Sequence, residues 1–476
     1  MMRLLALALT SAALIGAANR PWPGAGYLAF VALVPLLAAL HGERRWWRGA
    51  LAGLVASFGA GLVAFEGVAP AEFWAYPALV LVAGVPWFVA GALFVLFKER
   101  RPRAGSLWFF VPLMVAVEFV PSQRLLLGDF ANAINAMGFS QFHTPLMNAA
   151  GWSGVTGVSL LVIGVNYGLY AAFRRRLAPA AAWLAITVAA AVVPVPGSNS
   201  PGPESSAVTV AVVQGAVTSV DSLMARFDRE AAERMLEPYA NLTAQAVEHG
   251  AELVVWGETV LPHAVRAGHV PDYVSRALNP APVALTGGVA YNGDASYNSI
   301  FHWSDGALTE VYRKRALVPF NERHYTPGPA LPPLNVNGLR VGLGVCLDSL
   351  HGAFSRESVR AGAEALVYVT EDSFAGLTVT PELHLRATAF RAAETGRYVV
   401  FANQSGPSAV INNRGRTVER VGHGEVAAII TRLPSYQGFT PFVMVGNWVG
   451  MGSTLIVLVG AALLLLPRRA SARPEA

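Results

Sequence analysis

The chain has one cysteine in 476 residues, and only 14% of its residues carry charge. A lone cysteine excludes an internal disulfide framework and a Cys-rich zinc site, so the thiol of Cys346 is either an inert buried group or a nucleophile. The shortage of charge excludes an ordinary soluble protein, which carries roughly 25%. No His-Glu-x-x-His pattern is present, and neither a Walker nor a Rossmann glycine fingerprint is found. The pair Gly342-Leu-Gly344 lies inside a strand-like run without a phosphate-binding context. No metal and no cofactor are therefore expected. Repeats of fixed period and long low-complexity tracts are also lacking.

What the chain has is hydrophobicity, 54% of residues and a mean hydropathy of +0.43, unevenly placed. Apolar residues crowd into the first 200 positions and a block near 453–466, while 206–434 has ordinary globular composition. This predicts a transmembrane bundle over 1–197, a soluble domain over 206–434, and an anchor with a tail over 440–476. The Pro/Gly/Ser stretch 194–206 reads as the linker. Candidate spans are 3–18, 25–40, 49–67, 74–97, 105–121, 153–173, 178–195 and 453–466, about eight in all.

The net charge of +5 does not indicate nucleic acid, because the arginines sit at the ends of apolar segments. Arg44-Arg45…Arg48, Lys98…Arg100-Arg101…Arg103, Arg174-Arg175-Arg176 and Arg468-Arg469…Arg473 follow alternate spans. By the positive-inside rule both termini are cytoplasmic and the soluble domain lies outside. Residues 1–18 also fit a signal peptide, and its removal would leave every later span in the same orientation. Within spans, Glu118 and Asn166 are expected to hydrogen-bond between helices. Phe73-Trp74-Ala-Tyr76 reads as an interfacial belt.

The soluble domain alternates β-branched runs (208–213, 253–256, 283–289, 298–303, 308–312, 341–345, 366–369, 399–402 and 426–430) with amphipathic stretches, notably 222–249 and 381–395. That alternation predicts a layered α/β fold. Three runs end in a reactive side chain: Val-Val-Trp-Gly-Glu258, Val-Tyr-Arg-Lys314 and Gly-Val-Cys346. Taken singly, each has a plain reading, as a solvated strand end, a basic patch and a small core residue. Together their chemistry is complementary. A carboxylate can act as base toward a thiol, and an ammonium can stabilise a thiolate and then an oxyanion. The N–H of Leu347 could supply a second oxyanion donor. The set points to acyl transfer through a thioester.

With these residues in view, the sequence resembles the nitrilase superfamily and, within it, the bacterial apolipoprotein N-acyltransferases. The matching stretches are Val-Trp-Gly-Glu258-Thr-Val-Leu-Pro, Tyr-Arg-Lys314-Arg-Ala-Leu-Val-Pro-Phe-Asn-Glu322 and Gly-Val-Cys346. Residues 384–396, Val117-Glu118-Phe, Gly138-Phe-Ser-Gln141 and Gly154-Val-Thr-Gly-Val-Ser…Asn166 are also similar. The resemblance implies a Glu258/Lys314/Cys346 triad in an α-β-β-α sandwich set on an eight-span bundle. It also implies supporting roles for Glu322 and Asn298. Departures fall at Leu347 and Asp348, where the family usually has an aromatic and a glutamate. Others fall at Glu371-Asp372-Ser373-Phe374-Ala375-Gly376 and at Phe227, where it often has a tryptophan. They leave the triad intact and are expected to touch the pocket for acyl chain and acceptor.

The implied activity is N-acyl transfer from a phospholipid to a diacylglyceryl-modified apolipoprotein, by a monomer in the bacterial cytoplasmic membrane. Two alternatives stand beside it. One is a membrane-anchored amidohydrolase passing the acyl group to water, which would turn over soluble amides without a lipid acceptor. The other is a catalytically silent scaffold of a secretion or conjugation system, for which an intact triad would have no use.

Overall fold

The computed structural model describes residues 1–466 apart from 71, 103–105, 132–133, 135, 262–269 and 320. Arg103 and the Arg468-Arg469…Arg473 cluster lie outside the described residues, as does the first position of the expected span 105–121. The membrane half is built from helices α1 (Met2–Ala18), α2 (Val34–Gly42), α3 (Trp46–Ala64), α4 (Ala75–Arg100), α5 (Phe110–Phe119), α6 (Ala150–Phe173) and α7 (Leu177–Val192). A last helix, Trp448–Leu465, follows the soluble domain.

All eight expected segments contain helix. Among the described residues five helices are long and apolar enough to cross a membrane: 25–42, 46–64, 75–100, 145–173 and 448–465. A sixth is possible if the pair Leu107–Ser122 and Arg124–Phe130, bent by 59°, counts as one. The helices α1 and α7, with 17 and 16 residues, are apolar but shorter than these. Glycine lets α3 and α4 meet backbone to backbone. A Cβ on Gly53 would come within 2.1 Å of the Trp87 carbonyl oxygen, the close small-residue approach that packs helices in lipid. Asn166 bonds as expected: Leu33 N–H donates to its Oδ1 (2.8 Å), and its Nδ2 donates to the Ala29 carbonyl (2.8 Å). Glu118 likewise accepts from the Met137 N–H at 3.0 Å.

The soluble domain is two six-stranded sheets. Its strands are β1 (Val208–Gln214), β2 (Leu253–Trp256), β3 (Val283–Asn292), β4 (Ala295–Ser304), β5 (Ala307–Arg313), β6 (Leu334–Val336), β7 (Leu339–Val345), β8 (Ala365–Thr370), β9 (Tyr398–Asn403), β10 (Ser408–Ile411), β11 (Thr417–Val421) and β12 (Ala427–Leu433). One sheet runs β12-β1-β2-β3-β4-β5 and the other β11-β10-β9-β8-β7-β6. In each, three adjacent strands are parallel (β1-β2-β3 and β7-β8-β9) and the outer ones antiparallel. The nine expected strands are all present. The sequence reading missed β6, β10 and β11, which are short and interrupted by polar turn residues.

Period-2 alternation decides which face meets which layer. Val208, Val210 and Val212 of β1 pack with Val341, Val345, Val367, Val369 and Val400 between the sheets. Ala211 and Val213 turn outward onto α8 (Arg229–Glu248) through Met235, Leu236 and Tyr239. The expected helix 222–249 is two helices, Ser219–Met224 and α8, the second capped by Asp228, which accepts from the Glu230 N–H. The linker expected over 194–206 is partly structured: Ser200–Pro201 pairs antiparallel with Tyr436–Gln437, holding the domain's entry and exit together.

Two further helices, α9 (Gly352–Arg360) and α10 (Thr380–Thr395), join the soluble domain to the bundle, so that Trp448–Leu465 is α11. The amphipathic reading of 381–395 is corrected, since α10 is buried on nearly every side. Its polar face meets the bundle instead of solvent. Arg386 donates to the Asn19 carbonyl at 3.1 Å, and the Glu394 carboxylate accepts from the Val155 N–H at 2.8 Å. That N–H is free because α6 breaks at Ser153 and Gly154, the latter at φ +72°, a conformation suited to glycine. Phe390 meets Phe139 edge-on at 5.1 Å.

Glu394 is 1% exposed and also pairs with Arg391 at 2.9 Å. Its replacement by leucine strands a buried N–H and a buried guanidinium, a loss of about 3–5 kcal/mol. Glu394→Leu is expected to lower the unfolding temperature in detergent sharply, and Glu394→Gln, which keeps an acceptor, much less.

Candidate active site

The two sheets bring the three strand-end residues together from different layers. Glu258 lies two residues beyond β2, Lys314 directly after β5, and Cys346 directly after β7. Cys346 has φ +46°, and Thr259, next to Glu258, has φ +51°. Left-handed backbone in a non-glycine residue is costly and persists where the surrounding structure enforces it. At Cys346 it turns the chain from strand into the 3-10 turn Cys346–Leu350.

Lys314 is 1% exposed, with its Nζ donating to Glu258 Oε1 (3.1 Å) and Glu322 Oε1 (2.8 Å). Asn298 Nδ2 bridges the same two carboxylates at 2.7 and 3.0 Å. The second oxygen of Glu322 accepts from the Val318 N–H at 2.7 Å. The backbone of Lys314 is fixed too, its N–H on the Asn298 carbonyl and its own carbonyl on the Gly328 N–H, both 2.8 Å. Glu322 and Asn298, expected as supporting residues, thus lie in direct contact with Glu258 and Lys314. Leu347 is the second residue of the Cys346 turn, where opening N–H groups have no carbonyl partner inside the turn.

The electrostatics follow from burial. Burial, reinforced by the Glu258 charge and opposed by Lys314, pushes the half-buried Cys346 thiol well above its ordinary value. Burial also raises Glu258, against the pull of Lys314. For Lys314 burial acts in the lowering direction, but Cys346 once ionised and the carboxylates of Glu258 and Glu322 outweigh this and hold it up. The arrangement is a protonated thiol beside a carboxylate of raised basicity and a permanent ammonium. Such a set can move the thiol proton to the carboxylate and hold the charge that develops.

Two groups were not picked out by the sequence. Asp348, read there as a departure touching the substrate pocket, is 1% exposed and works as a bracket. Its oxygens accept from the N–H groups of Ala316 (2.7 Å), Val345 (3.0 Å) and Arg315 (3.2 Å) and from the Tyr312 hydroxyl (3.0 Å). One carboxylate therefore ties the segment after Lys314 to the strand before Cys346. The second group is His384 on α10. Its Nε2 sits 3.2 Å from the Cys346 carbonyl and its Nδ1 3.0 Å from Asp372, which Asn403 braces at 2.6 Å. Burial works against charge on His384, but Asp372 outweighs it and the pKa is raised. The sequence signals for this group were the stretch 384–396, which opens with His384, and the 371–376 loop, which holds Asp372, without a role assigned to either residue.

Residues 209–437, which hold both sheets and the site, match the carbon-nitrogen hydrolase family model. Residues 11–168 match the apolipoprotein N-acyltransferase N-terminal domain. Curated relatives include the apolipoprotein N-acyltransferases of Gloeobacter violaceus (28% identical, covering 92% of this chain and 90% of that one) and Caulobacter vibrioides (28%, 90% and 89%). That of Pseudomonas aeruginosa is 26% identical over 96% and 95%. Similar solved structures include Nit3 of Saccharomyces cerevisiae, at TM-score 0.40 and 22% identity over 56% of this chain and 97% of that one. A nitrilase-superfamily amidase of Nesterenkonia AN1 has TM-score 0.39 and 19% identity over 49% and 93%.

Asp348→Ala leaves two buried N–H groups and a part-buried one without an acceptor, so a loss of about 3 kcal/mol is expected, read as a lower unfolding temperature together with lost Cys346 reactivity. A pH effect follows from Glu371, which burial, opposed by its Ser373 hydrogen bond, pushes up to about 7. Between the ordinary carboxylate range and 7 the folded protein keeps a proton that the unfolded chain releases, so this group lowers stability as pH rises through that window. The unfolding temperature should fall between pH 5 and pH 7.5 for the wild type, and fall less for Glu371→Gln.

Proposed function

We propose that this protein transfers an acyl chain from a membrane phospholipid, through a thioester on Cys346, to the amino terminus of a diacylglyceryl-modified lipoprotein. The observation that carries the reading is the convergence of Glu258, Lys314 and Cys346 beside an apolar helical bundle. The name shared by the curated relatives supports the substrate class. In the first step Glu258 takes the thiol proton as sulfur attacks the ester carbonyl. The oxyanion is held by the Lys314 ammonium and the Leu347 N–H, and the lysophospholipid leaves with the proton from Glu258. In the second step the lipoprotein α-amine attacks the thioester, Glu258 removes its proton, and Cys346 departs as the thiolate and is reprotonated. Glu322 and Asn298 keep Glu258 and Lys314 in register.

Both substrates are lipid-anchored, which gives the bundle its use: it holds the reacting face at the membrane and shields the thioester from water. The proposed setting is the bacterial cytoplasmic membrane, with a bundle over 1–197, a catalytic domain over 206–434 on the outer side and an anchor and tail over 440–476. Both termini are then cytoplasmic, and the working unit is a monomer.

Incubation with a phospholipid bearing a labelled acyl chain should give a hydroxylamine-sensitive mass adduct on the wild type and none on Cys346→Ala. A diacylated lipopeptide should then discharge it. Glu258→Gln should slow adduct formation by about 10²–10⁴-fold. Absence of any adduct on folded protein across several head groups would sink the acyltransferase reading.

A further inference from the structure

A cavity of about 380 Å³ lies along the seam where α5, α6 and α11 of the bundle meet α9 and α10 of the catalytic domain. Cys346, Glu258 and Lys314 do not line it. Its wall holds Arg124, His351, Arg391 and Glu394, and each has a buried polar atom without a hydrogen-bond partner: Arg124 Nη1, His351 Nε2, Arg391 Nε and Glu394 Oε2. Three of these side chains are deeply buried, Arg391 and Glu394 at 1% exposure and His351 at 6%. Unpartnered polar atoms in a folded interior are rare and each costs free energy, so five around one cavity, with Glu118 Oε2 as the fifth, call for an occupant that bonds them.

The chemistry of the unpaired atoms narrows the occupant. Two guanidinium groups offer donors, suited to the oxygens of a phosphodiester. Glu394 Oε2 offers an acceptor, and a second carboxylate, Glu118, lines the same wall. A simple anion would meet these carboxylates with nothing to give. The occupant must therefore carry an anionic oxygen cluster and a hydrogen-bond donor together. The outer lining is apolar and exposed: Leu125 at 97%, Val445 at 57% and Met451 at 49%. On a chain with membrane-length helices, such a rim continues into lipid.

We propose that the seam cavity is a second lipid site, holding the head group of a membrane phospholipid whose polar terminus is an ammonium or hydroxyl. The phosphodiester lies on Arg391 and Arg124, the donating terminus on Glu394 and Glu118, and the acyl chains leave past Leu125, Val445 and Met451. The occupant is not the lipid being cleaved, since its site is apart from Cys346. It bridges the bundle and the catalytic domain.

The test uses full-length Cys346→Ala protein, so that no acyl adduct forms and failure of the thioester chemistry leaves the result unaffected. Delipidated protein would be titrated in detergent with phosphatidylethanolamine, phosphatidylglycerol or phosphatidylcholine, with bound lipid counted by native mass spectrometry. Ala353→Trp fills the cavity from its exposed wall and Met451→Trp plugs its mouth; thermal unfolding checks that each is folded. Phosphatidylethanolamine or phosphatidylglycerol should bind at least tenfold more weakly to either folded variant, and phosphatidylcholine, which has no donor, should bind at least tenfold more weakly than these to the parent. Lipid retention unchanged in both plugged variants, or equal retention of all three lipids, would overturn the proposal. So would soluble glycerophosphoethanolamine displacing the lipid at equal concentration, because it would make the site one for a free polar solute.

Discussion

An ammonium with 1% of its surface exposed, Lys314, organises the catalytic half of the molecule. An uncompensated ion in that position costs several kcal/mol even after relaxation, and the fold around it consists of compensation. Two carboxylates from different loops, Glu258 and Glu322, approach within 3.1 and 2.8 Å, and Asn298 ties both together from the neighbouring strand. The same contacts that neutralise the lysine fix the carboxylate that faces the thiol. Packing need and chemical need are met by one set of bonds, so a change at any member disturbs both.

The thiol comes from the opposite sheet, and its position relative to Lys314 depends on how the two layers are joined. The apolar contacts between sheets, valine on valine from β1, β7, β8 and β9, set the spacing but have no directionality. Direction is supplied by Asp348, which binds backbone N–H groups on both sides of the interface. His384 and Asp372 add a second hold, on the carbonyl of Cys346, whose own left-handed backbone would otherwise relax.

Attachment to the bundle reuses a helix that a free-standing layered domain would turn toward water. In α10 the outward face carries Arg386, Arg391 and Glu394, and each bonds a backbone group or partner buried at the seam. The break in α6 at Gly154 exposes an N–H that Glu394 satisfies, so a defect in one half is repaired by a side chain of the other. The two halves are thereby locked together by directional bonds, and the polar groups left unpaired between them form the lining of the seam cavity.

Much of this was legible in the sequence, and for a physical reason. Strand runs at 208–213 or 341–345 and apolar helices at 49–67 or 74–97 are local periodic patterns, and local patterns survive in any tertiary setting. Glu258, Lys314 and Cys346 could be singled out because each breaks its apolar run with a group that chemistry would use. Other features were decided only by the tertiary structure. α10 lost its solvent face to the bundle, and Asp348 was recognised as a bracket only through its partners. These properties belong to pairs of surfaces far apart in the chain. A residue's burial and hydrogen-bond partners are set by what folds against it, which no local run of amino acids encodes.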